Sequence, residues 1–280
     1  MLHEMPKAHV NGIDIFYKVQ GRGEPLILIM GLGGECGDWV LELRAFKKHY
    51  RAVTFDNRGV GKSDKPLEPY TIKDMADDVV GLMDYLGIEK AHVLGVSMGG
   101  MIAQEVAIRH PERVRKLILG STTAGRDEKG GHSPQLLKAM GLIEGFSDED
   151  IKSVDIGKVM TSMNAYAFSG GLIKLLAMPY CWLRMKLFGI EGLKGQFEAS
   201  MTHSALDRLH LIKAPTLVIT GTDDRIVSPS SSDLLASRIP AARLVKIEGG
   251  SHTVIAEKRG RFNREVLDFL ADSGKAEQRG

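Results

Sequence analysis

The apolar residues of this chain gather into short continuous runs, separated by stretches with helical spacing. Pro25–Met30 and Arg51–Asp56 read as buried strands, each closed by a turn. Ile13–Gln20 alternates between apolar and polar positions and reads as a half-exposed strand. Tyr70–Leu86 puts Ile72, Met75, Val79, Leu82, Met83 and Leu86 on one helical face and stops at Gly87. Ala91–Gly95 is a short strand, Met98–His110 a helix ended by Pro111, and Val114–Gly120 another strand. The rhythm resumes with a strand at Pro215–Thr220, a helix at Pro229–Arg238, a strand at Arg243–Glu248 and a helix at Val254–Leu270. Strands alternating with helices predict an α/β fold whose mostly parallel sheet is covered on both faces.

One interval breaks the rhythm. Residues 125–206 hold helical segments and no buried strand, with Met140, Met160, Met163, Met178, Met185 and Met201 and several aromatic residues. Two readings fit: a helical subdomain with its own small core, and a cap whose adaptable side chains wall a pocket. The expected organisation is a core domain, 1–124 and 207–280, interrupted by a helical cap subdomain at 125–206.

Composition narrows the function. The chain has 280 residues, 43% hydrophobic and 26% charged, which suits a globular enzyme and argues against disorder. A net charge of +2 without a basic cluster gives no reason to expect nucleic acid or a membrane as partner. Two cysteines, Cys36 and Cys181, are too few for a disulfide framework and read as free thiols. Residues 1–23 hold no apolar segment of the kind a secretion signal needs, so a cytoplasmic enzyme is expected.

Gly95-Val96-Ser97-Met98-Gly99 matches G-x-S-x-G, directly after one predicted strand and opening a helix. That setting suits a nucleophile elbow, a turn so tight that its flanking positions must be small. A serine hydroxyl needs a base. His252 follows a strand and lies in the loop before the last helix, where catalytic loops of such sheets gather. His92 lies within a strand and His110 at a helix end; His132, His203 and His210 fall in or near the interval, and His3, His9 and His49 read as surface. The orienting carboxylate has adjacent candidates, Asp223 and Asp224, in the loop after Pro215–Thr220. The chain order Ser…Asp…His is that of α/β-hydrolases.

The chain resembles the α/β-hydrolase fold superfamily over essentially its whole length, and its serine carboxylesterase and enol-lactonase-like branch in overall look. Val93–Gly100 resembles the elbow, and Phe55–Asp64 the D-x-R-G-x-G-x-S loop. Gly221–Pro229 resembles the acid loop, whose carboxylate position falls on Asp224; Asp127 is the other place where this fold can put the acid. The resemblance implies an eight-stranded sheet and a Ser97–His252–Asp224 triad. It also implies an oxyanion hole of two backbone N–H groups, from Met98 and from Leu32 in Gly31–Gly34, with Met30 where the family usually has histidine. No metal and no cofactor is expected.

A serine nucleophile disfavours the chemistry of dehalogenases and epoxide hydrolases, which use a carboxylate. The first expectation is hydrolysis of an ester, lactone or thioester of a small, largely apolar molecule through an acyl-enzyme. The second is hydrolytic C–C cleavage of a diketone or dienoate, in which relatives often hold the substrate carboxylate with a cap arginine; Arg184 is the candidate here, and a surface residue is the alternative reading of it. A non-catalytic ligand-binding protein on the same fold is the third. Met178, Trp182 and Arg184 are the candidate pocket residues. The expected partner is a small molecule, with a homo-oligomer allowed.

Overall fold

The computed structural model describes residues 6–126, 131–142, 146–167 and 191–272. Cys181 and the candidates Asp127, Met178, Trp182 and Arg184 lie outside them.

Eight strands form one sheet in the order β1-β2-β4-β3-β5-β6-β7-β8. They are β1 (Lys7–Val10), β2 (Ile13–Gln20), β3 (Glu24–Ile29), β4 (Tyr50–Phe55), β5 (Ala91–Val96), β6 (Val114–Gly120), β7 (Thr216–Gly221) and β8 (Ala242–Ile247). β1 pairs antiparallel with β2 and β2 with β4; every later pairing is parallel. The hydrophobic pattern located β2 to β8 to within a residue or so. It missed β1, whose four residues carry too little apolar pattern to stand out.

The central strands β5 and β7 are buried along their whole length, as a sheet covered on both faces requires. One face packs under α2 (Ile72–Tyr85) and α3 (Met98–Arg109), with Ile27, Val93, Leu117 and Val218 meeting Met75, Val79, Ile102 and Val106. The other face packs under α1 (Val40–Phe46) and the C-terminal helices, where Leu28, Leu94 and Ile219 meet Trp39, Phe46, Phe262 and Val266. The sequence pattern had not separated α1. It had also joined two helices that the structure divides at Lys258, Val254–Glu257 and Arg259–Ala271.

Between β6 and β7 lie α4 (Pro134–Met140), α5 (Asp148–Ser153), α6 (Ile156–Ala167) and α7 (Glu191–Thr202). Leu142, Ile151, Ile156, Val159, Leu193 and Phe197 make a separate small core there, against which Leu32 and Met160 pack. Met201, one of the methionines of that interval, is buried in that cluster. No helix among the described residues is long and apolar enough to cross a membrane.

A buried ion pair fixes the loop after β4. Arg58 donates to Asp78 on α2 through Nε (2.6 Å) and Nη2 (2.7 Å). Both side chains are almost wholly removed from water, at 10% and 3% exposure. Removing one partner strands a buried charge, at a cost of about 3–5 kcal/mol. Asp78→Ala should therefore lower unfolding stability by about that amount, measured by urea titration; a shift below 1 kcal/mol would show the pair to be dispensable.

Candidate active site

Ser97 joins β5 to α3 and carries the least comfortable backbone of the site, φ 55° and ψ −126°. A non-glycine residue there costs on the order of 1–3 kcal/mol and persists only when its surroundings hold it. Here they do: Ser97 N donates to Gly120 O (2.8 Å), and its carbonyl accepts from Gly100 N (2.8 Å) and Thr122 Oγ1 (2.7 Å). The turn is closed by contact. A Cβ at Gly95 would stand 2.1 Å from Gly99 O, and one at Gly99 2.2 Å from Ile29 O.

His252 leaves the loop after β8 and reaches back across the sheet edge. Its Nε2 lies 3.0 Å from Ser97 Oγ and its Nδ1 2.8 Å from Asp224 Oδ2. A carboxylate only accepts, so Nδ1–H donates to Asp224 and Nε2 is left to accept the serine proton. Asp224 Oδ1 is occupied by the backbone N–H groups of Ile226 (2.9 Å) and Val227 (3.0 Å). The carboxylate is thus held by its own loop and aimed by its second oxygen, with its side chain fully buried. Asp223 is exposed, and its carboxylate accepts from Thr222 Oγ1 (3.0 Å). Geometry separates the two adjacent acids as periodicity could not.

The loop after β3 crosses close to Ser97: a Cβ at Gly31 would lie 3.0 Å from Ser97 Cβ. Among the described residues, neither the Leu32 N–H nor the Met98 N–H has a protein acceptor. Met98 opens α3, where the helix leaves N–H groups free and favours negative charge. Asn57 Nδ2 donates to Met30 O (3.0 Å) and Gly34 N to Gly31 O (3.0 Å). Asn57 supports the loop in a chain that has Met30 at the usual histidine position.

A second imidazole, one that the sequence left unassigned, lies beside the site. His132 pairs in an isolated bridge with Val227 of the acid loop. Burial, and then the neighbouring His252, push its pKa down to about 4. His203 is buried beside Glu105, and burial pushes it down to about 4 as well. His92 is buried in β5 against Glu24 (3.1 Å) and lies outside the site; His9 and His49 are exposed. The Cys36 thiol is pushed up to about 12 by burial and by Asp56, which leaves it without thiolate character.

The chain as a whole is similar to known proteins. A model of the alpha/beta hydrolase fold matches residues 24–151, and one described as serine aminopeptidase, S33, matches residues 196–259. A putative carbamate hydrolase of a Caulobacter species is 30% identical over 268 residues, 90% of this chain and 92% of the relative. The chain belongs to the α/β-hydrolase fold family. Among solved structures, the enol-lactonase of Burkholderia xenovorans matches with a TM-score of 0.82 at 28% identity, covering 95% of this chain and 99% of the other. A meta-cleavage product hydrolase of Pseudomonas fluorescens matches with a TM-score of 0.76 at 26% identity, covering 95% and 97%. The chain is an enzyme of this hydrolase family.

Histidines with folded pKa values near 4 lie below the reference near 6.5, so the unfolded chain binds more protons between those values. The stability they permit is complete above pH 6.5 and is lost as pH falls toward 4. Ring carbon shifts of His132 and His203 should stay at their neutral positions from pH 7 to about 5, read by NMR. Titration of either above pH 6 would contradict this.

Proposed function

We propose that this enzyme hydrolyses the ester, lactone or thioester bond of a small, largely apolar molecule through an acyl-enzyme on Ser97. One observation carries the reading: a single imidazole spans from Ser97 Oγ to Asp224 Oδ2 by hydrogen bonds of 3.0 and 2.8 Å. Ser97 Oγ attacks the substrate carbonyl while His252 Nε2 takes its proton. Asp224 holds the ring in that tautomer and stabilises the imidazolium without becoming protonated. The Leu32 and Met98 N–H groups receive the developing oxyanion. His252 then returns the proton to the leaving oxygen or sulfur. A water, deprotonated by His252, attacks the acyl-enzyme; the bond to Ser97 Oγ breaks, His252 returns the proton to that oxygen, and the acid leaves.

The segment 125–206 serves in this reading as the cap. It leaves the sheet beyond the C-terminal end of β6, its two ends meet in the Gly125–Ser204 bridge before the chain enters β7, and its apolar residues favour a small apolar acyl group over a charged one. Neighbours named enol-lactonase and carbamate hydrolase support a carbonyl-directed reaction. The likeness to a meta-cleavage product hydrolase favours a second reading, C–C cleavage by the same residues.

Ser97→Ala should lower ester turnover by about 10⁴-fold or more while leaving the fold intact, because only the nucleophile is removed. Asp224→Asn should cost far more activity than Asp223→Asn, since only Asp224 fixes the tautomer of His252. The measurement is kcat/KM on a panel of chromogenic esters, lactones, a carbamate ester and a vinylogous diketone. Preference for the diketone would shift the reading to C–C hydrolysis, and equal losses at the two aspartates would remove Asp224 from its role.

A further inference from the structure

The loop that carries Leu32 is held from above by one side chain of α7. Gln196 is completely buried. Its Oε1 accepts from Gly33 N (2.9 Å) and its Nε2 donates to Arg58 O (2.7 Å). The amide orientation is fixed by these partners, one a donor and the other an acceptor. Gln196 therefore ties together two loops that leave different strands, β3 and β4.

The consequence lies in the peptide planes. The Leu32 N–H shares its plane with the Gly31 carbonyl and points the opposite way. That carbonyl accepts from Gly34 N, and the preceding plane is fixed by Asn57 on Met30 O. The following plane carries the Gly33 N–H, and its holder is Gln196. The plane that aims the Leu32 N–H near Ser97 is thus bounded on one side by the core and on the other by α7.

The holder is itself rigid. Arg58, whose carbonyl receives the Gln196 amide, is locked to Asp78 and lies over the Tyr70 ring, 5.3 Å from guanidinium carbon to centroid. Tyr70 donates to Gly192 O (3.3 Å), one turn before Gln196 on the same helix. At Gly192 the backbones meet so closely that a Cβ would fall 1.9 Å from Gly59 O. Helix α7 is therefore seated at two successive turns.

We propose that Gln196 is a positioning residue for the oxyanion hole, setting the Leu32 N–H from the cap side. The proposal rests on the acyl-transfer reading above and adds a residue that touches no substrate. An oxyanion donor acts on the charge that develops during reaction, so its misplacement lowers kcat and leaves ground-state binding nearly unchanged.

Gln196→Met keeps the volume and removes both hydrogen bonds. It should lower kcat by about 10- to 100-fold with KM within about threefold. The affinity for a trifluoromethyl ketone should fall by the same factor, and so should the rate at which a fluorophosphonate labels Ser97. The shape of the pH–rate profile should not move, because Ser97, His252 and Asp224 are untouched. Gln196→Glu keeps an acceptor for Gly33 and should recover part of the loss; it also carries the test if the methionine variant does not fold. Folded variants with wild-type kcat and labelling rate, or with a loss confined to KM, would overturn the proposal. If wild-type Ser97 labels but turns over no ester, the ester reading fails alone, and labelling rates still decide the role of Gln196. Absence of labelling in the wild type would overturn both.

Discussion

Everything at this site depends on one residue being kept in a backbone conformation that it would not choose. Ser97 sits at φ 55°, and its one side-chain hydrogen bond among the described residues, to His252, does not hold its backbone. The compensation comes from neighbours: the end of β6 takes its N–H, Thr122 beyond β6 and the first turn of α3 take its carbonyl, and Gly95 and Gly99 let the turn close. These partners exist only once β5, β6 and α3 have packed. The conformation of Ser97 is therefore a product of the completed parallel sheet, in which β5 is buried along its whole length.

Much of this was legible in the chain because the underlying constraints are local. Seven strands announced themselves by short apolar runs, and the elbow by its glycines between a strand and a helix. What stayed hidden was of two kinds. Short elements such as β1 and α1 have too few residues to display a period, and their positions are set by tertiary packing. The choice between Asp223 and Asp224 came from resemblance, and its physical basis emerges only in three dimensions. Asp224 has its inner oxygen tied down by the N–H groups of Ile226 and Val227, whereas Asp223 faces solvent.

Gln196 shows a deeper limit. A glutamine on a weakly amphipathic helix gives no signal in one dimension, because both of its partners are backbone groups more than a hundred residues away in the chain. Asn57 is an intermediate case: the loop motif Phe55–Asp64 was recognisable, but its support of Met30 O was not. Backbone partners leave no imprint on the identities of the residues that supply them, so sequence patterns read nucleophiles and bases more easily than what holds them in place.

The last turn of α6 offers a different lesson. The Ala167 carbonyl meets Ser251 Oγ (2.6 Å), Thr253 N (3.2 Å) and Thr253 Oγ1 (3.0 Å), the residues on either side of His252. The histidine loop is thus fastened to a helix that packs in two small clusters, one around Val159 and one where Ala167 meets Leu136, Ile226 and Val227, and not in the large cores under the sheet. Opening a small local cluster costs less free energy than unfolding a whole domain. On heating, His252 is therefore expected to lose its setting before the eight-stranded sheet comes apart.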